Sequence, residues 1–271
     1  MIKIKQSIIN WLTQKHLEEG RLLSDFDTLK HEVKPGDVIL IDGTSHVSHT
    51  IQYLTQSSWS HSMLYLGRAM NFDDRERFSL IEKNTDITHN PHLVIESQLG
   101  KGTVISNLDD YRDEHLRICR PKGLTHHDAQ KVIGYALDHV GTAYNVRQVI
   151  DLIRFLLPWR IMPRRWGSSL FRPKNKDQKD ICSTLIAEAF ASVKFPVLPE
   201  IKTRPDQQVE LIPHNPNTFT PSDFDYSPYF EIIKYPMLNI ASPPSYQNLP
   251  WTDKDIVSDG KGKYTKMRRV K

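Results

Sequence analysis

Asp180-Ile-Cys-Ser-Thr-Leu-Ile-Ala-Glu-Ala-Phe190 sets a cysteine at the head of an apolar run. Asp180 is a residue type that caps helix N-termini, and Leu185, Ile186, Ala189, Phe190 and Val193 recur at helical spacing. The pattern predicts an apolar helix with Cys182 in its first turn. A thiol there meets unpaired backbone N–H groups and the positive end of the helix dipole, and both favour the thiolate. One reading makes Cys182 an activated nucleophile. The other makes it a small buried hydrophobe, a common fate of cysteine. The helix alone leaves both open.

Two partners for a thiol stand upstream. Ser60-His-Ser-Met-Leu-Tyr-Leu-Gly67 predicts a strand running out of His61. His92-Leu-Val-Ile-Glu96 predicts a strand ending in a carboxylate, with Thr103-Val-Ile-Ser106 as its hairpin partner. His61, Glu96 and Cys182 make the inventory of a Cys–His–acid site. The imidazole holds the thiol proton and later gives it to the leaving group, while the acid orients the imidazole. Spacing along the chain does not by itself bring the three together.

The remaining segments supply a core. Val38-Ile-Leu-Ile41 follows a Pro-Gly turn and reads as a buried strand. Ile51 and Leu54 predict a short helix before Trp59, Phe78-Ser-Leu-Ile81 a strand, and His115-Leu-Arg-Ile-Cys-Arg120 another, with Cys119 inside. Thr125 caps a helix whose apolar face is Val132, Ile133, Ala136, Leu137 and Val140, ended by Gly141-Thr-Ala-Tyr144. Residues 1–30 read as helical, either packed on the core or lying in a membrane interface. Tyr229-Phe-Glu-Ile-Ile-Lys-Tyr235 reads as a last strand, and the basic stretch 261–271 as disordered.

Composition narrows the class. With 271 residues, 38% hydrophobic and 25% charged, the chain is long enough to bury a real core. A net charge of +4 and a pI near 8.9 are mildly basic and fall short of a nucleic-acid signature, so no nucleic-acid partner is expected. Two cysteines argue against a disulfide framework and suit a reducing compartment. The N-terminal residues show no long apolar signal core, and no run of about 18 apolar residues occurs. The expected location is cytoplasmic, peripheral to a membrane at most. His46-Val-Ser-His49 and His89-Asn-Pro-His92 have metal-like spacing but lack a helical His-Glu-x-x-His pattern or a Cys pair. They read as exposed loop histidines, and no metal or other cofactor is expected.

A resemblance joins these pieces. In chain order, Pro35-Gly-Asp-Val-Ile-Leu40, Ser60 to Gly67, Val94-Ile-Glu-Ser97 with Gly102-Thr-Val104, Arg120-Pro121, Gly141-Thr-Ala-Tyr144 and Ile181-Cys-Ser-Thr-Leu-Ile186 resemble the NlpC-like papain-fold cysteine hydrolases with a circular permutation. The nearest likeness is to the YiiX/YebB-like group, with lecithin–retinol acyltransferase-type enzymes more distant. The resemblance covers roughly residues 33–195. It implies an α+β, permuted papain-like fold: a small antiparallel β-barrel or sheet packed against the helix carrying the cysteine. It also implies Cys182 as nucleophile, His61 as base, Glu96 as orienting residue, and Tyr144 assisting the oxyanion. The division that follows is an N-terminal helical extension at 1–32, a catalytic domain at 33–200 with an insertion at 146–179, and a Pro-rich C-terminal extension with a basic tail at 201–271.

The expected activity is a thiol hydrolase or acyltransferase acting through an acyl-enzyme on an amide or ester bond. Its substrate would be a small peptide-, amide- or lipid-type molecule. The alternative is a non-catalytic lipid- or peptide-binding module that keeps the fold. In the insertion, Arg160, Arg164 and Arg165 suit phosphate or carboxylate groups while Trp159 and Trp166 suit acyl chains, which makes this segment a candidate substrate-binding wall. An amphipathic cap over the core, its arginines solvated, fits the same residues.

Overall fold

Apolar residues at every position of Val38-Ile-Leu-Ile41, rather than at alternate ones, mark a strand covered on both faces, and this strand lies inside the sheet. The computed structural model describes residues 25–72, 74–98, 100–142, 182–204, 207–234, 256–258 and 264–266. Its main feature is a six-stranded sheet built from β1 (Val38–Asp42), β2 (His61–Arg68), β3 (His92–Gln98), β4 (Gly102–Asn107), β5 (His115–Pro121) and β8 (Phe230–Ile233). The spatial order is β4-β3-β2-β1-β5-β8, and every neighbouring pair is antiparallel. Two further hairpins are β6 (Glu200–Thr203) with β7 (Val209–Ile212), and β9 (Ile256–Ser258) with β10 (Tyr264–Lys266).

The pleat sorts side chains onto two faces. One face carries Val38, Leu40, Leu64 and Ile95. It packs against α4 (His126–Leu137) through Val132, Ile133 and Ala136, and against α5 (Cys182–Ser192) through Ile186 and Phe190. The other carries Ile39, Ile41, Met63, Tyr65 and Val94 beneath α1 (Phe26–Glu32), which contributes Phe26 and Leu29. Thr125 caps α4 by accepting from the Asp128 N–H, as its sequence requires.

The sheet stays open. Among the described residues β4 and β8 are its two edges and do not pair, so the fold is α+β with an antiparallel sheet and not a closed barrel. Closure demands a tilt and stagger shared by all strands. Here β8 is only four residues long, and helices pack on both faces of the sheet.

Two segments differ from their sequence reading or add to it. Phe78 to Ile81 lies in α3 (Arg75–Asn84), not in a strand: Asp74 caps the helix by accepting from the Glu76 N–H, and Ile81 faces the core. A four-residue apolar window is too short for periodicity to separate the two states. Residues 216–233 fill one end of the core. Phe219, Phe224 and Phe230 are buried, and Phe230 meets Phe190 edge-on at 5.3 Å between ring centroids. This segment holds α6 (Ser222–Tyr226) and ends in β8, close to the last strand expected from the sequence.

Candidate active site

His61 opens β2 opposite Ile41, and Glu96 lies on the neighbouring strand β3 opposite Val104. Carrying the Leu64↔Ile95 register three residues back sets His61 one diagonal step from Glu96 on the same face. The side chains meet: His61 Nε2 lies 2.7 Å from Glu96 Oε2. Glu96 is 1% exposed, whereas His61, at the rim of the sheet, retains 22% side-chain exposure.

The second carboxylate oxygen is also held. Glu96 Oε1 accepts from Gln98 Nε2 at 2.9 Å, from Ser106 Oγ at 2.5 Å and from the Tyr111 hydroxyl. Burial alone would push this carboxyl up. The hydrogen bond and charge of His61, with Ser106 and Tyr111, outweigh it and hold the group at about 2. Burial, then the charge of Glu96, pushes the Tyr111 phenol well above its ordinary value, so it remains a donor.

The sequence reading missed all three of these donors. Gln98 and Ser106 share the pleat parity of Glu96 on the β3–β4 hairpin, so the alternation could have found them. Tyr111 arrives by a 3₁₀ turn at Leu108–Tyr111 that Asn107 caps, and no periodicity reveals that.

The loop before His61 is pinned. Ser60 Oγ accepts from the Gly43 N–H at 3.0 Å and donates to the Ile41 carbonyl at 3.2 Å. A Cβ on Gly43 would stand 2.6 Å from Ser48 Oγ, so only glycine fits. Gln52, on α2 (His46–Thr55), donates to Asp42 Oδ1 at 2.8 Å. Trp59 Nε1 donates to Asp225 Oδ2 at 3.1 Å beneath the Arg117 guanidinium, which pairs with the same carboxylate at 2.8 Å. These contacts fix the start of β2 and therefore the imidazole.

α5 begins at Cys182, and Ser183 Oγ donates to the Phe219 carbonyl at 2.7 Å, tying its first turn to the segment before α6. The side chain of Cys182 lies outside the described part of the structure. So do Asp180, Tyr144 and the candidate binding residues Trp159, Arg160, Arg164, Arg165 and Trp166. The body of α5 packs on the face opposite His61 and Glu96.

The other candidates resolve as follows. His92 is not an exposed loop histidine. It opens β3, is buried, and its Nδ1 lies 2.7 Å from the Tyr65 hydroxyl. Burial first, then the Arg68 and Lys30 charges, lowers it to about 4. His49 is on α2, with Nδ1 at 3.1 Å from Gln52 Oε1. Among the described residues no cluster of three His, Cys, Asp or Glu is set to hold a metal, and no helix is long and apolar enough to cross a membrane. Cys119 is buried as expected, and burial pushes its thiol up to about 12.

No curated protein matches the chain. A family match covers the central strands and stops short of α5, so it includes both members of the His61–Glu96 pair and leaves out Cys182. Residues 32–151 match the family model described as a permuted papain-like amidase enzyme, YaeF/YiiX, C92 family, and the resemblance carried by the His61 and Glu96 blocks holds.

Proposed function

We propose that the chain is a cysteine hydrolase that cleaves an amide bond through an acyl-enzyme on Cys182, with His61 as the base and Glu96 as the residue that orients it. The match to a papain-like amidase family supports a cysteine-type hydrolase at the coarse level. The observation that carries the finer reading is the buried His61–Glu96 pair at 2.7 Å.

A carboxylate only accepts, so the His61 nitrogen facing Glu96 carries the proton: Nε2–H donates and Nδ1 becomes the basic nitrogen. In the proposed cycle Nδ1 takes the Cys182 proton, the thiolate adds to the amide carbonyl, and the imidazolium returns the proton to the departing amine. Glu96 stabilises that imidazolium without taking its proton. The N–H groups of the first turn of α5 are suited to the oxyanion, with Tyr144 assisting. The acyl group then passes to water. The same acyl-enzyme could pass it to another nucleophile, which is the acyltransferase variant, and an ester would enter the same cycle. The proposed substrate wall is the segment with Trp159, Arg160, Arg164, Arg165 and Trp166, which would also supply any peripheral membrane contact.

The test is a panel of activated small amides, thioesters and esters, read by intact-protein and peptide mass spectrometry. An acyl adduct on Cys182, absent in Cys182→Ala and much reduced in His61→Ala, supports the proposal. Absence of any adduct across the panel, or one on Cys119 instead, overturns it.

A further inference from the structure

The outer edge of β4 is in part used by the chain itself. The Thr103 N–H donates to the Thr142 carbonyl at 2.9 Å, and the Gly141 N–H donates to the Thr103 carbonyl at 2.9 Å. In an antiparallel strand the backbone groups of every second residue point the same way. The β3–β4 register runs unbroken from Gln98↔Gly102 to Leu93↔Asn107. The N–H and C=O groups of Ile105 and the N–H of Asn107 therefore point outward, as those of Thr103 do, while the Asn107 C=O serves the 3₁₀ turn that this residue caps. Among the described residues no backbone group meets them.

These groups border a cavity of about 520 Å³. It is lined by Ile105, Ser106 and Asn107 and by residues of the segment 84–91, among them Thr85 and His89. Lys101 lines it as well, as do Asp86 and Asp110. Such a lining is polar and carries both signs, unlike the mainly apolar clefts that take small molecules. Gln98 and Ser106 also line the cavity, and both donate to Glu96 Oε1. The groove is thus one hydrogen bond from the His61–Glu96 pair.

We infer that this groove binds an extended peptide segment, which adds a strand to the outer edge of β4. Outward N–H groups stand at Ile105 and Asn107, every second residue and about 7 Å apart, with the Ile105 C=O beside them, and that repeat is the one an extended peptide backbone presents. A lining mainly of hydroxyls, amides and charges, with Pro91, Val104 and Ile105 as its apolar members, suits a peptide with mixed side chains better than an acyl chain. The edge already accepts backbone pairing at Thr103, so the proposed strand continues an interaction the fold makes for itself. This inference deepens the hydrolase proposal by naming a peptide as substrate. The docking step itself does not need the thiol.

The experiment uses the full chain, 15N-labelled and carrying Cys182→Ala, titrated with the blocked peptide acetyl-Thr-Val-Lys-Val-Thr-Val-amide. The amide resonances of Ile105 and Asn107 should move most and exchange more slowly with solvent. The same peptide N-methylated at every residue should not bind. Asn107 has φ −83°, which suits proline, so Asn107→Pro removes one edge N–H without forcing the backbone. That variant should weaken binding about three- to tenfold, the worth of one hydrogen bond. Asn107→Ala, which also loses the cap on the Asp109 N–H but keeps its own, should weaken binding less than Asn107→Pro does. Resonance shifts confined elsewhere, equal binding of the N-methylated peptide, or equal effects of the two Asn107 variants would overturn the inference. An inert Cys182 would leave this result standing, and a reactive Cys182 would not rescue it.

Discussion

His61 Nε2 and Glu96 Oε2 stand 2.7 Å apart, while the opposite oxygen of the same carboxylate takes hydrogen bonds from Gln98, Ser106 and Tyr111. A carboxylate saturated in this way cannot rotate away, so the direction of the imidazole is set by the β3–β4 hairpin. Glu96→Gln keeps the shape and removes the charge. The expected outcome is a folded protein whose Cys182 acylation slows by about two orders of magnitude or more. Stopped-flow acylation, with thermal unfolding as the control for folding, measures it.

Tyr111→Phe removes one donor to Glu96 and leaves the ring. Losing one hydrogen bond to a buried charge should cost about 1.5–3 kcal/mol in urea unfolding at neutral pH. The Glu96 carboxyl should then titrate above its present value of about 2, read by 13C NMR of the labelled carboxyl. An unmoved titration would mean that Tyr111 does not hold the carboxylate.

Two groups make stability depend on pH in separate windows. His92 is lowered from 6.5 to about 4, so the unfolded chain takes its proton first; that contribution is full above pH 6.5 and is lost as pH falls towards 4. Glu96 is lowered from 4.5 to about 2, so its contribution is full above pH 4.5 and is lost as pH falls towards 2. Each shift corresponds to on the order of 3 kcal/mol. Urea midpoints measured from pH 8 to pH 3 should fall in both windows. His92→Gln should reduce the fall in the upper window, to which His115, also lowered by its burial, contributes, and leave the lower one.

The aromatic cluster gives a prediction about extent. Phe230 touches Phe190, Phe195 and Phe224, and its strand pairs with β5. Phe230→Ala should cost about 3–5 kcal/mol, a large part of a typical domain's stability. A chain ending at residue 215 should lose cooperative unfolding by circular dichroism, because it lacks β8 and three buried phenylalanines.

Much of this was legible in the sequence. Strands β1 to β5 announced themselves through alternation or continuous apolar runs, and Thr125 announced its helix through the cap. His61 and Glu96 stood out because they sit at or near strand ends, where a sheet exposes side chains at its rim. Phe230 stood in the expected last strand, whereas Phe219 and Phe224 follow neither a two-residue nor a 3.6-residue period, and the region beyond residue 200 read as an extension. Tyr111 and His92 take their roles from partners that only the folded sheet brings near, Glu96 for one and Tyr65 for the other.

Alkylation measures whether His61 activates the Cys182 thiol. Iodoacetamide is applied between pH 5 and 9, with modification mapped by peptide mass spectrometry in the parent and in His61→Ala. Cys119, buried and with its thiol pushed up to about 12, is the internal reference that should stay unmodified. Cys182 should be alkylated near neutral pH well above the rate of an ordinary thiol, and His61→Ala should abolish the excess. A Cys182 that reacts no faster than an ordinary thiol, at a rate unchanged in His61→Ala, would contradict that activation.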